Sequence, residues 1–120
     1  MTPPSQQQPP TPPSADLLKG TLDMLILKVV ALGPIHGYAI SQRIRQISKE
    51  FFQVTQGSLY PALHRLEERG WLDAEWRDTP TGREAKFYKL TRAGRKQLEV
   101  AVDDWEKMSD AVALILRTAQ

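Results

Sequence analysis

The segment from Thr91 to about Arg117 constrains the architecture of this chain most strongly. Leu98, Ala101, Val102, Trp105, Met108, Val112, Ile115 and Leu116 recur there at helical spacing and make one broad apolar stripe. Thr91 stands where a helix cap belongs. At 1.5 Å per residue such a helix spans on the order of 40 Å, whereas a globule of about 100 residues has a radius of gyration near 13 Å. The helix therefore projects beyond its own domain and leaves part of its stripe in water. A second copy of the chain is the economical cover.

Upstream, the apolar periodicity predicts three shorter helices. Residues 17–32 set Leu18, Leu22, Leu25, Val29 and Leu32 at steps of four and three, with Ser14 or Asp16 as cap and Gly33-Pro34 as stop. Leu17, Met24, Ile26, Leu27 and Val30 make the other face apolar too, as in a helix buried on several sides or held at a subunit contact. Residues 33–47 predict a turn punctuated by His36 and Gly37, then a helix with Ile40, Ile44 and Ile47 inward and Arg43 and Arg45 off the stripe. Residues 56–70 predict a third helix, with Leu59, Leu63 and Leu66 on one face. Gly57, Ser58, Pro61, His64, Arg65 and Glu68 point away from that face, and Tyr60 lies on its flank. Thr55 or Ser58 caps this helix, and Gly70 ends it with left-handed backbone. Pro61 fits only near the start, where its missing N–H matters little. The alternating runs at 71–77 and 85–90 flank DTPTGRE, and so predict a two-stranded hairpin with a basic tip at Arg83 and with Lys86 just beyond.

The first 14 residues hold six of the nine prolines and no charge, which predicts a disordered Pro/Gln-rich tail outside the core. The net charge of +2 is unevenly spread. Residues 37–97 carry 12 basic against 7 acidic side chains, and residues 98–120 carry 2 against 5. A basic middle is the footprint of a polyanion-binding surface or of a solvated face of mixed sign. With no cysteine there is no disulfide, thiolate nucleophile or zinc finger. His36 and His64 stand outside any metal-ligand spacing, and no glycine-rich phosphate loop or GxSxG occurs. No catalytic residues, metal or cofactor are expected. No apolar run approaches membrane-spanning length and no secretory leader is visible, so the expectation is a cytoplasmic protein without membrane contact.

The order helix, helix, helix, hairpin, long helix is the winged helix-turn-helix plan: a mainly α fold with a two-stranded β-wing. It divides into the tail at 1–14, a DNA-binding domain at 15–90 and a C-terminal dimerisation helix at 91–120. The outer face of the third helix suits a major groove about 12 Å wide, and the hairpin tip brings Arg83 and Lys86 to the neighbouring backbone. Gln56 and Ser58 are candidate phosphate donors, Ser58 being equally a cap. Arg65 is a candidate for a phosphate or a guanine edge, and His64 for DNA or for plain solvent. The alternative reading is a winged-helix protein–protein adaptor without specific DNA binding.

GPIHGYAISQRI, GSLYPALHRLEERGWL and GREAKFYKLTRAGRKQL together resemble the PadR family of bacterial transcriptional regulators, over about residues 17–117. The Tyr60-Pro61 pair, followed by Leu63, Leu66 and Gly70, carries most of that resemblance. It implies a homodimer that binds a double-stranded, palindromic DNA operator, usually as a repressor. It also implies dimerisation through the last helix with help from the first, hence through Leu18, Leu22, Leu98, Val102, Trp105, Val112 and Ile115. Tyr60 matches the family tyrosine at the start of the reading helix, with packing against the wing as its other role. Tyr38 stands where family members touch the DNA backbone, or packs in the core. The end at Gln120 resembles the family branch with a single C-terminal helix, some members of which hold flat apolar compounds at a tryptophan between the two last helices. Trp105 occupies that place, with Met108 as an adaptable neighbour and Asp104 and Glu106 favouring a cationic effector. The other reading of Trp105 is a plain dimer-core residue, and Trp71 and Trp76 are expected in wing and core packing.

Overall fold

A computed structural model describes residues 15–118, with side chains placed from Gly20 onward. The tail at 1–14, with the Ser14 cap, and the side chains of Asp16 and Leu18 lie outside the described residues. Asp16 falls inside the first helix, which begins at Ala15, and so is not its cap. Four helices and a small sheet follow in order: α1 (Ala15–Ala31), β1 (Ile35–His36), α2 (Gly37–Ile47), α3 (Gln56–Glu68), β2 (Leu72–Asp78), β3 (Glu84–Leu90) and α4 (Arg92–Leu116).

α1 is the central post. Leu22, Ile26, Leu27, Val29 and Val30 are buried in it, and it touches α2, α3, α4 and β3. That explains an apolar sequence on more than one face. α2 and α3 close over it with Ile40, Ile44, Leu59, Leu63 and Leu66. Ile47 does not join them. It is exposed because it lies in the last turn of α2, past the edge of the core. Beyond it the chain turns through Lys49 and Glu50, both in left-handed backbone, where the Glu50 and Lys49 N–H groups donate to the Arg45 and Gln46 carbonyls.

The sheet has three strands in the order β1-β3-β2, all antiparallel. The hairpin expected from the sequence is its larger part. The third strand is two residues long, pairing Ile35 with Tyr88 and His36 with Phe87, too short to show as an alternating pattern. His36 does a second job as the cap of α2, its Nδ1 accepting the Ala39 N–H at 3.2 Å.

α4 is tied at its start. Thr91 Oγ1 accepts the Gly94 N–H at 2.9 Å and donates to the Gly70 carbonyl at 2.7 Å. Only Gly94 and Leu98 are buried along its 25 residues. Ala101 and Val102 are half-buried, Trp105 and Met108 stand beside α1, and beyond them the helix runs out past the domain. The radius of gyration is 17.5 Å, well above the ~13 Å of a compact globule of about 100 residues.

Candidate nucleic-acid interface

The outer face of α3 is built by its two ends. At the start, Thr55 is the cap: its Oγ1 accepts the Ser58 N–H at 3.2 Å. Of the two candidate caps, Ser58 is therefore left with an exposed hydroxyl, which accepts from Thr55 Oγ1. At the far end the Trp71 N–H donates to the Leu66 carbonyl and the Gly70 N–H to the Glu67 carbonyl, with Gly70 at φ 77°. This is the glycine-closed helix end that the sequence predicts. Pro61 sits in the second turn rather than the first. It has no N–H to offer the Gly57 carbonyl. Gln56, Ser58, Tyr60, Pro61 and His64 are all exposed on this face.

Beside that face lies a groove of 740 Å³ between the start of α2, the length of α3 and the wing. Tyr38, Tyr60, His64, Trp76 and Arg83 contribute to its walls. Tyr60 leans on the start of α2: a Cβ on Gly37 would come within 3.1 Å of its ring. The wing tip is braced by the Thr79 N–H and hydroxyl, both donating to the Arg83 carbonyl, which leaves the Arg83 side chain in solvent.

Two basic residues expected at DNA are turned inward instead. Arg65 reaches back to α1, where its Nη2 meets Asp23 Oδ1 at 2.5 Å, and both side chains are at least three-quarters buried. It does not project outward as the helical wheel suggests. The carboxylate that captures it is 42 positions away in sequence and invisible to local periodicity. Lys86 lies two residues inside β3, on the side of the sheet that meets α3, and its Nζ donates to Glu67 Oε1 at 3.0 Å. Its ammonium also stands 5.5 Å from the centre of the Tyr88 ring. The hydrogen bond to Glu67 holds the Lys86 pKa above its ordinary value, and burial raises that of Tyr88. Glu67, which the sequence marks only as an acidic residue weakening the far end of α3 for DNA, thus joins α3 to the wing, and Asp23 joins it to α1. His64 stays exposed, in contact with Glu68 at 2.6 Å.

At the opposite end, Trp105 and Met108 border a hollow of 270 Å³ between α1 and α4, with Gly20, Thr21, Met24, Ala101 and Asp104. Trp105, Val112 and Ile115 are exposed. Leu22 and Leu98, expected at a subunit contact, are 5% and 8% exposed within the chain's own core and have no surface to offer a second copy. Val102 is half-buried against the same core.

Among the described residues no helix is long and apolar enough to cross a membrane. Residues 26–100 match the family model described as the transcriptional regulator PadR-like family. A transcriptional regulator of Mycobacterium tuberculosis is 40% identical over 73 residues, covering 61% of this chain and 64% of that protein. The negative transcriptional regulator PadR of Bacillus subtilis is 27% identical over 84 residues, covering 70% of this chain and 44% of its own length. This chain therefore spans less than two thirds of either relative. Among solved structures, a transcriptional regulator from Clostridium thermocellum is similar with a TM-score of 0.78 at 25% identity, over 86% of this chain and 100% of that one. A PadR-like transcriptional regulator from Bacillus cereus gives 0.74 at 28%, over 88% and 100%.

Proposed function

The chain belongs to the PadR-like family of transcriptional regulators, whose members are not enzymes, and from that premise we propose that it is a homodimeric repressor of a palindromic operator. The observation that carries this reading is the exposed face of α3, where Tyr60 and His64 share one groove with Arg83 of the wing. Gln56 and Ser58 offer donors at the start of α3, where the helix dipole favours a phosphate. Tyr38 and Arg83 take the backbone on either side, and Tyr60, Pro61 and His64 meet the groove edges of the bases. Arg65 and Lys86 hold α3 in place and leave the contacts to these neighbours. The name of the Bacillus subtilis relative, a negative regulator, favours repression.

Dimerisation follows from α4. A helix with Trp105, Met108, Val112 and Ile115 exposed along one stripe is covered by its own copy. A small apolar or aromatic effector then sits against Trp105 and Met108 in the hollow beside α1, and its differential affinity for two dimer geometries releases the operator. Trp105→Ala is expected to abolish the response to such a compound, and an intact response rules this site out.

The test is fluorescence anisotropy on DNA from upstream of its own gene, across a salt series. The expected result is two chains per site, half-sites about 10 bp apart and affinity that falls steeply with salt. Weak binding, equal on this and on random DNA, would withdraw the operator assignment in favour of a protein–protein adaptor.

A further inference from the structure

Neither the core nor the reading helix accounts for Trp76. Along β2, Leu72, Ala74 and Trp76 alternate onto the side of the sheet that meets α3. Leu72 is buried and Ala74 half-buried, yet Trp76 is 65% exposed. The strand register sets it opposite Lys86, whose ammonium bonds to Glu67 of α3. The indole therefore belongs to the wall of the groove between α3 and the wing, not to the outer face of the hairpin. An exposed indole in such a place is a large, rigid, mostly apolar contact surface.

The charge of the groove indicates what that surface meets. Its charged wall residues are Arg83 and Lys86 against Glu67 and Glu84, which sum to zero. Lys86 and Glu67 neutralise each other directly. The middle of the groove is thus no seat for an anion. Phosphates suit the start of α3 on one side and Arg83 on the other. Between two successive phosphates a DNA strand presents an uncharged deoxyribose, whose ring edge is apolar. We propose that the Trp76 indole packs on the deoxyribose of the strand that passes between α3 and the wing. This contact holds the strand in register and tells no base from another, and it rests on the DNA-binding reading given above.

The test compares wild type, Trp76→Ala, Trp76→Phe and Arg83→Ala by anisotropy on a labelled duplex from upstream of the gene and on a random duplex, each across a salt series. Trp76→Ala is expected to weaken binding about fivefold or more on both duplexes. The slope of log affinity against log salt should stay unchanged, because a sugar contact releases no counterion. Trp76→Phe should keep most of the affinity, and Arg83→Ala should flatten the slope by about one unit. Thermal melts of both Trp76 variants should match wild type, since the ring is exposed. Unchanged binding by Trp76→Ala overturns the contact while leaving DNA binding itself intact. A loss of affinity shared in full by Trp76→Phe, which keeps a ring but lacks the indole N–H, overturns it in favour of an indole N–H to phosphate bond. If wild type binds neither duplex, the DNA reading falls and this contact with it.

Discussion

Arg65 and Asp23 form a pair whose two side chains are about one quarter and one fifth exposed, so each holds the other in a partly dry place. Truncating Asp23 strands a guanidinium whose Nε already lacks a partner. Asp23→Ala should lower stability by about 1–3 kcal/mol in urea unfolding. A double-mutant cycle with Arg65→Ala should return a coupling of about 1 kcal/mol or more. A coupling within error of zero, together with loss of operator binding by Arg65→Ala alone, would return Arg65 to the DNA face. Lys86 and Tyr88 of the wing make stability fall at alkaline pH. Lys86 and Tyr88 both bind their protons more tightly in the folded chain than in the unfolded one, Lys86 through Glu67 and Tyr88 through burial. Their contribution is therefore complete at neutral pH and is lost as pH rises above about 10, through the folded-state values. Glu67→Gln should make that alkaline decline shallower, as followed by melting temperature against pH.

Where α4 begins, a single glycine sets the approach of two elements. A Cβ on Gly94 would lie 2.0 Å from the Trp71 carbonyl oxygen and 2.8 Å from Leu90 Cδ1. That carbonyl also accepts the Thr91 N–H, so it cannot move aside freely. Gly94→Ala should cost about 3 kcal/mol, although alanine is the better helix former, and should lower the melting temperature by about 10 °C or more. Thr91→Ala removes the cap and the bond to Gly70 and should cost about 1–2 kcal/mol. A mild effect at Gly94 in calorimetry would mean that the α4 start sits further from the sheet. Elements of this kind divide what the sequence discloses from what it hides. Four helices and the hairpin were legible because each repeats its apolar spacing over two turns or three residue pairs. β1 was not, because two residues carry no period. Thr55 could not be told from Ser58 as a cap until the backbone fixed which N–H pointed at which hydroxyl. At the interface the exposed residues of α3 were legible from their side of the wheel. The fates of Arg65, Lys86 and Trp76 were not, since each is decided by a partner or a space that only the tertiary fold brings near.

For the whole molecule, the exposed stripe of α4 is what the proposed dimer would cover. Sedimentation equilibrium should find a dimer at micromolar concentration. Val112→Asp with Ile115→Asp should yield a folded monomer of nearly unchanged melting temperature, because neither side chain is buried within its own chain. That monomer should bind the operator at least about 100-fold more weakly, having lost the gain from two linked half-sites. A monomeric wild type would refute the arrangement. The length of α4 has a mechanical consequence as well. Its 25 residues extend about 37 Å, and Trp105 stands near the midpoint, so each reading head hangs on an arm of about 20 Å. In the proposed dimer Trp105 is a fulcrum. A rotation of about 10° there swings each head by roughly 3 Å, close to the 3.4 Å step between stacked base pairs. On the proposed reading, a compound no larger than the hollow beside α1 would need to turn the helices only slightly to put both heads out of step with an operator.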